Sequence, residues 1–132
     1  MVTCHFLVFL FIAMDIETVR EYCLAKPGTS EDLPFDDVSL VFKVMGKMFG
    51  ILSLDEEPLS MNLKCDPERA LKLRESYPGI VRPGYHMNKK HWNTVELGTE
   101  LPPELATELI DHSYDLVVAK MTKKMRKQLE EL

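Results

Sequence analysis

Three stretches between residues 38 and 64 alternate apolar and polar side chains, and this two-residue period constrains the chain more than any other feature in it. In the first stretch, Val38, Leu40, Phe42 and Val44 share one face, with Ser39, Val41 and Lys43 on the other. Met45-Gly46-Lys47 is a tight turn, where glycine supplies the positive φ that hairpins need. Residues 48–54 return as a second strand. After the breaking cluster Asp55-Glu56-Glu57-Pro58, Leu59, Met61 and Leu63 alternate with Ser60, Asn62 and Lys64 as a third. Strands joined by turns this short are antiparallel, and an alternating strand needs only one covering layer.

The covering layer is read from helical spacing. Ile16, Val19 and Cys23 form a stripe within residues 15–26, with Asp15 as N-cap and Pro27-Gly28 as a stop, and a polar loop follows over residues 28–34. Asp66-Pro67-Glu68 starts a second helix that runs to about Ser76, because Asp caps, Pro suits the first helical position and Glu favours the positive end of the dipole. Residues 80–87 and 91–97 flank Asn88-Lys89-Lys90 as a second hairpin. Pro102-Pro103-Glu104 opens a last helix with Leu105, Leu109, Ser113 or His112, Leu116 and Val117 on one face, continued by Met121 and Met125. The expected fold is therefore α+β: two layers, one antiparallel five-stranded sheet, order α-β-β-β-α-β-β-α, with all helices on one face and the other left wet.

At 132 residues the chain makes one domain, expected over residues 14–132. Residues 1–13 hold an apolar run over 6–13 that falls far short of the ~20 residues of a membrane span. With no base before the run and no small-residue cleavage site after it, export is not expected either. The segment reads as an apolar extension from a start assigned too early, ahead of the ordinary helix start at Met14-Asp15, with an extra strand or apolar arm as the alternative. Cys4, Cys23 and Cys65 match neither a disulfide framework nor a metal or redox pair; Cys23 and Cys65 are expected as small buried hydrophobes in a cytoplasmic protein.

Sixteen Lys and Arg against 21 Asp and Glu give a net charge of −5, which excludes a uniformly basic surface. The charge is uneven: residues 1–37 carry seven acids and two bases, residues 38–95 six acids and nine bases, and residues 96–132 eight acids and five bases. Positive charge therefore concentrates among the strands. The sequence contains no nucleophile elbow, zinc-peptidase motif, P-loop or dinucleotide fingerprint, so no enzyme activity is expected. No metal or other cofactor is expected: His86, His91 and Cys65 or Asp66 lack a ligand spacing, and the early acids build no calcium or magnesium loop. His112 reads as a packed or hydrogen-bonded histidine.

The stretch from Tyr85 to Trp92 interleaves two aromatics, two lysines and two histidines with no acid, a combination that neutralises phosphates and stacks on bases. Trp92 is also a candidate core residue, and Lys89 and Lys90 also suit the protection of a sheet edge.

A further pattern is the ordered set Ala25-Lys26-Pro27-Gly28-Thr29-Ser30-Glu31, Leu33-Pro34-Phe35, Val41-Phe42-Lys43-Val44, Gly46-Lys47-Met48-Phe49, Leu63-Lys64-Cys65-Asp66-Pro67, Pro83-Gly84-Tyr85, Asn88-Lys89, His91-Trp92 and Ser113-Tyr114. From Met14 to about Lys124 it resembles the MmcQ/YjbR family. The resemblance implies a two-layer α/β fold similar to those of secretion chaperones and frataxin-like proteins, and a predicted DNA-binding role. The sequence thus favours a nucleic-acid-binding protein, a monomer or weak dimer, that contacts DNA or another nucleic acid through Lys43, Lys47, Lys64, Arg82, Lys89 and Lys90, with His91 and Trp92 stacking or packing. The alternative is a protein-binding adaptor or chaperone-like module using the wet sheet face or the Met-rich last helix.

Overall fold

The computed structural model describes residues 14–84 and 87–132. The expectation for residues 1–13 lies outside the described residues, as do Tyr85 and His86. Four helices and six strands follow in the order α1 (Ile16–Leu24), β1 (Thr29–Asp32), β2 (Ser39–Val44), β3 (Lys47–Ser53), β4 (Ser60–Lys64), α2 (Pro67–Ser76), β5 (Val81–Pro83), β6 (Trp92–Glu96), α3 (Pro103–Ala119) and α4 (Lys123–Glu130). The strands form one antiparallel sheet in the order β1-β2-β3-β4-β6-β5.

The sheet has one more strand than expected. β1 is entirely polar, Thr-Ser-Glu-Asp, so it carries no apolar alternation; it is an edge strand held by backbone pairing to β2, with Glu31 bonded to Arg20 of α1. Polar edges of this kind discourage pairing with other chains. The last helix also divides in two. Thr122 has extended backbone, φ −64° and ψ 159°, and its side chain accepts from the Met125 N–H at 3.2 Å, which caps a new helix. The second hairpin is shorter than expected: β5 ends at Pro83, which has no N–H to donate and sits on the sheet's other edge.

Leu40, Phe42, Val44, Phe49, Leu52, Met61, Leu63 and Val95 form one core with Val19 and Cys23 of α1, Ala70 and Leu73 of α2, Ile110 and Val117 of α3 and Leu129 of α4. Each of the four described helices thus packs on the same sheet face. The other face is drier than expected: Val41, Ile51, Ser60 and Trp92 are buried there. Phe35 and Met87 share one depression on it with Met48 and Ile51, and Lys89 shares another with Asn62 and Arg82.

Phe49 is the extra residue of a bulge in β3, where the β2–β3 register shifts between Phe42 and Lys43. Continuing the β3–β4 register would set Phe49 opposite Lys64, yet the ladder stops at Gly50–Leu63. The wholly buried Ser113 of α3 stands in the gap: its hydroxyl donates to the Phe49 carbonyl and accepts from the Lys64 N–H at 2.9 Å. Removing that hydroxyl leaves a buried donor and acceptor without their partner, so Ser113→Ala should lose about 1–3 kcal/mol of unfolding free energy in a denaturant titration. An unchanged midpoint and slope would show that the bridge carries no stability.

Candidate nucleic-acid interface

Up-and-down strands sort the connections by sheet end, and the charges are sorted with them. One end gathers the β2–β3 turn with Lys47, the close of β4 with Lys64, and the β5–β6 loop with Lys89, Lys90 and His91. The last turn of α3 reaches the same end: Lys120 shares a cleft with Lys64 and His91. From there α4 crosses to the α1–β1 turn, where a Cβ placed on Gly28 would lie 2.6 Å from a methyl carbon of Leu129. Met121 and Leu129 are buried beneath it, while Lys123, Lys124, Arg126 and Lys127 are exposed.

The opposite end is acidic. Asp32 closes β1, Asp36 and Asp37 lead into β2, Asp55, Glu56 and Glu57 form the β3–β4 connection, and Glu96 closes β6. The start of α1 belongs there too, because Asp15 and Glu17 line a cavity of about 600 Å³ with Glu56, Glu57 and Gly98.

Ion pairing sharpens the contrast. Lys43 pairs with Asp32 at 3.4 Å and Arg82 with Glu96 at 2.8 Å, so these two expected contact residues on the helix-free face are already engaged. Lys26 pairs with Asp111 and lies about 5 Å from the ring centres of Tyr22 and Tyr114. Among the described residues, Lys47, Lys64, Lys89, Lys90, Lys120, Lys123, Lys124, Arg126 and Lys127 have no ion-pair partner. Most of the unpaired bases therefore lie at the sheet end, with Lys89 reaching from the β5–β6 loop onto the helix-free face beside Asn62 and Arg82.

Trp92 is only 8% exposed, so its ring is packed on the helix-free face and is not presented for stacking. Its carbonyl accepts from the Gly84 N–H, and a Cβ on Gly84 would come within 2.9 Å of the Trp92 Cβ. His91 is half-buried and its carbonyl accepts from the Cys65 N–H at 2.7 Å. The β5–β6 loop is braced by Arg74 of α2, which donates to the Lys89 carbonyl and to Asn93 Oδ1.

The basic stretch of α4 does not stand out as an interface in the regional charge balance, because the eight acids of residues 96–132 mask it. The signal is local: five bases and no acid between residues 120 and 127. Cys23 and Cys65 are buried as expected, and burial pushes their thiols up to about 12 and about 11, far from nucleophilic use at neutral pH.

His112 takes the hydrogen-bonding role expected of it, its Nε2 accepting from the Asp66 N–H at 3.2 Å. Burial first, and Arg69 second, hold its pKa below the usual histidine value, against the opposing pull of Asp66, Asp115 and Glu108. The unfolded chain therefore takes up this proton more readily, and the neutral ring's contribution to stability is full above the ordinary pKa of about 6.5 and is lost as pH falls through and below it. Between pH 7.5 and 5, the wild type should lose stability more steeply than His112→Gln in denaturant titrations; parallel profiles would refute the assignment.

The YjbR family model matches residues 24–116. The uncharacterized protein YbdF of Escherichia coli O157:H7 is 39% identical over 113 residues, 86% of this chain and 92% of that protein. The uncharacterized protein YjbR of E. coli K12 is 35% identical over 119 residues, 90% of this chain and all of that protein. The crystal structure of Deinococcus radiodurans DR2400, with a DUF419 domain, is 43% identical and superposes with a TM-score of 0.84, covering 89% of each chain. Among the described residues, no helix is long and apolar enough to cross a membrane.

Proposed function

The chain belongs to the YjbR family, and from its charge geometry we propose that it binds the phosphate backbone of nucleic acid through the basic end of the sheet. The observation that carries this reading is the set of unpaired bases at that end: Lys47, Lys64, Lys89 and Lys90, with Lys120 and the exposed bases of α4. Exposed cations without counter-charges keep their fields directed outward, and they release condensed counterions when a polyanion docks. The acidic end repels the same polyanion, so the protein approaches in one orientation despite its charge of −5. The contacts are to phosphate and carry little base readout, because among the described residues no exposed aromatic or base-reading helix accompanies these lysines.

A specific observation favours the adaptor reading as the second choice: Phe35 is 70% exposed beside the depression lined by Met48, Ile51 and Met87 on the helix-free face. A protein partner bound there would be lost in Phe35→Ala.

Binding is expected in the non-specific range, with Kd of about 10⁻⁴ to 10⁻⁶ M at physiological salt. Lys89→Ala with Lys90→Ala, or Lys123→Ala with Lys124→Ala, should each flatten the slope of log affinity against log salt by about two, similarly for every sequence. Lys43→Ala, a single change on the paired face, should leave the slope in place. Absence of salt-dependent binding by the wild type to single- or double-stranded DNA or RNA at low salt would overturn the proposal.

A further inference from the structure

Within the basic end, one feature is a cleft and not an open surface. It lies between the close of β4 and the last turn of α3, encloses about 180 Å³, and has Lys64 and Lys120 on its lining with His91, Pro67 and Leu116. Neither lysine has an ion-pair partner among the described residues. The one carboxylate on the lining, Asp66, accepts from the Arg69 N–H as the N-cap of α2. Lys64 is half-buried, and burial first and Lys120 second push its pKa down. Half-buried Lys64 and exposed Lys120 thus bring two like charges to one cleft, with the Asp66 carboxylate turned to the α2 N-terminus, and a bound anion would relieve their repulsion.

Resting on the nucleic-acid reading, we infer that this cleft receives the terminal phosphomonoester of a nucleic-acid strand, held between Lys64 and Lys120 with an imidazole N–H of His91 as a further donor. Charge favours this group, and size admits it. A phosphomonoester carries about −1.5 to −2 at neutral pH, matching two lysines, whereas an internal diester carries a single charge. At about 30 Å³ per water, the cleft has the volume of roughly six waters. That accommodates one tetrahedral group and a few waters. The open bases of α4 and of the β5–β6 loop are then left to the following backbone phosphates.

The test uses the full chain and oligonucleotides of one sequence ending in a 5′-phosphate, a 3′-phosphate or hydroxyls only. One phosphorylated end should bind about tenfold more tightly than the hydroxyl-ended strand, and inorganic phosphate should compete away that increment. Lys120→Met, at an exposed position that does not threaten folding, and Lys64→Met should each abolish the increment, whereas Lys72→Met, an equal change of net charge on α2, should preserve it. In NMR titrations, inorganic phosphate should raise the Lys64 ammonium pKa. Equal, salt-dependent binding of all three strands would overturn the inference and leave the broader reading standing. Inorganic phosphate shifting Lys64 while no oligonucleotide binds would sustain the cleft as a phosphate site and overturn the nucleic-acid reading.

Discussion

The Ser113 hydroxyl is the contact on which the rest of the architecture depends. By standing between the Phe49 carbonyl and the Lys64 N–H, it fastens the longest helix to the two central strands at the point where their ladder opens. Because β3 and β4 part there, β4 closes against β6 alone, through Lys64 and Trp92. The next residue of α3 extends the clamp: Tyr114 donates to the Pro27 carbonyl and packs edge-on against Phe49, with ring centres 5.4 Å apart. Two adjacent side chains thereby tie α3 to the sheet and to the α1–β1 turn, and they set the end of the molecule at which the unpaired bases collect.

The polarity of the charges follows the backbone as well as the side chains. α1 carries Glu17 in its first turn and α3 carries Glu104, so both begin with an acid at the positive end of the helix dipole. The cavity shared by Asp15 and Glu17 with the β3–β4 connection puts the start of α1 at the acidic end, and Lys120 follows the close of α3 at the basic end. Helix dipoles and side-chain charges therefore complement each other, and the same arrangement that stabilises the helices segregates the surface charge. Electrostatic segregation in a protein of net negative charge is an effect of topology that an overall pI of 5.4 conceals.

The core was legible because it depends on periodicity. Leu40, Phe42 and Val44 on β2, Met61 and Leu63 on β4, and Val19 and Cys23 on α1 all face where their spacing puts them. β1 escaped because Thr29 to Asp32 are polar on both faces and gain their conformation from pairing with β2, a non-local cause. The division between α3 and α4 escaped because Val117, Met121, Met125 and Leu129 keep a four-residue spacing across it; only Thr122, a capping residue, marks the break. The candidate site was half legible. Lys47, Lys64, Lys89 and Lys90 are chosen by charge and stay unpaired, but the engagement of Lys43 by Asp32 and of Arg82 by Glu96 depends on which strands are neighbours. The burial of Trp92 likewise comes from its place on the sheet, where Gly84 closes against it.

That the binding surface is the sheet end and not the sheet face is tested most directly by an amide NMR titration with a short oligonucleotide at low salt. Shifts are expected to be confined to Lys47, Lys64, residues 88–91 and residues 120–127, with Asp32, Asp36, Glu56 and Glu96 undisturbed. Shifts centred instead on Val41, Lys43 and Ile51 would contradict it.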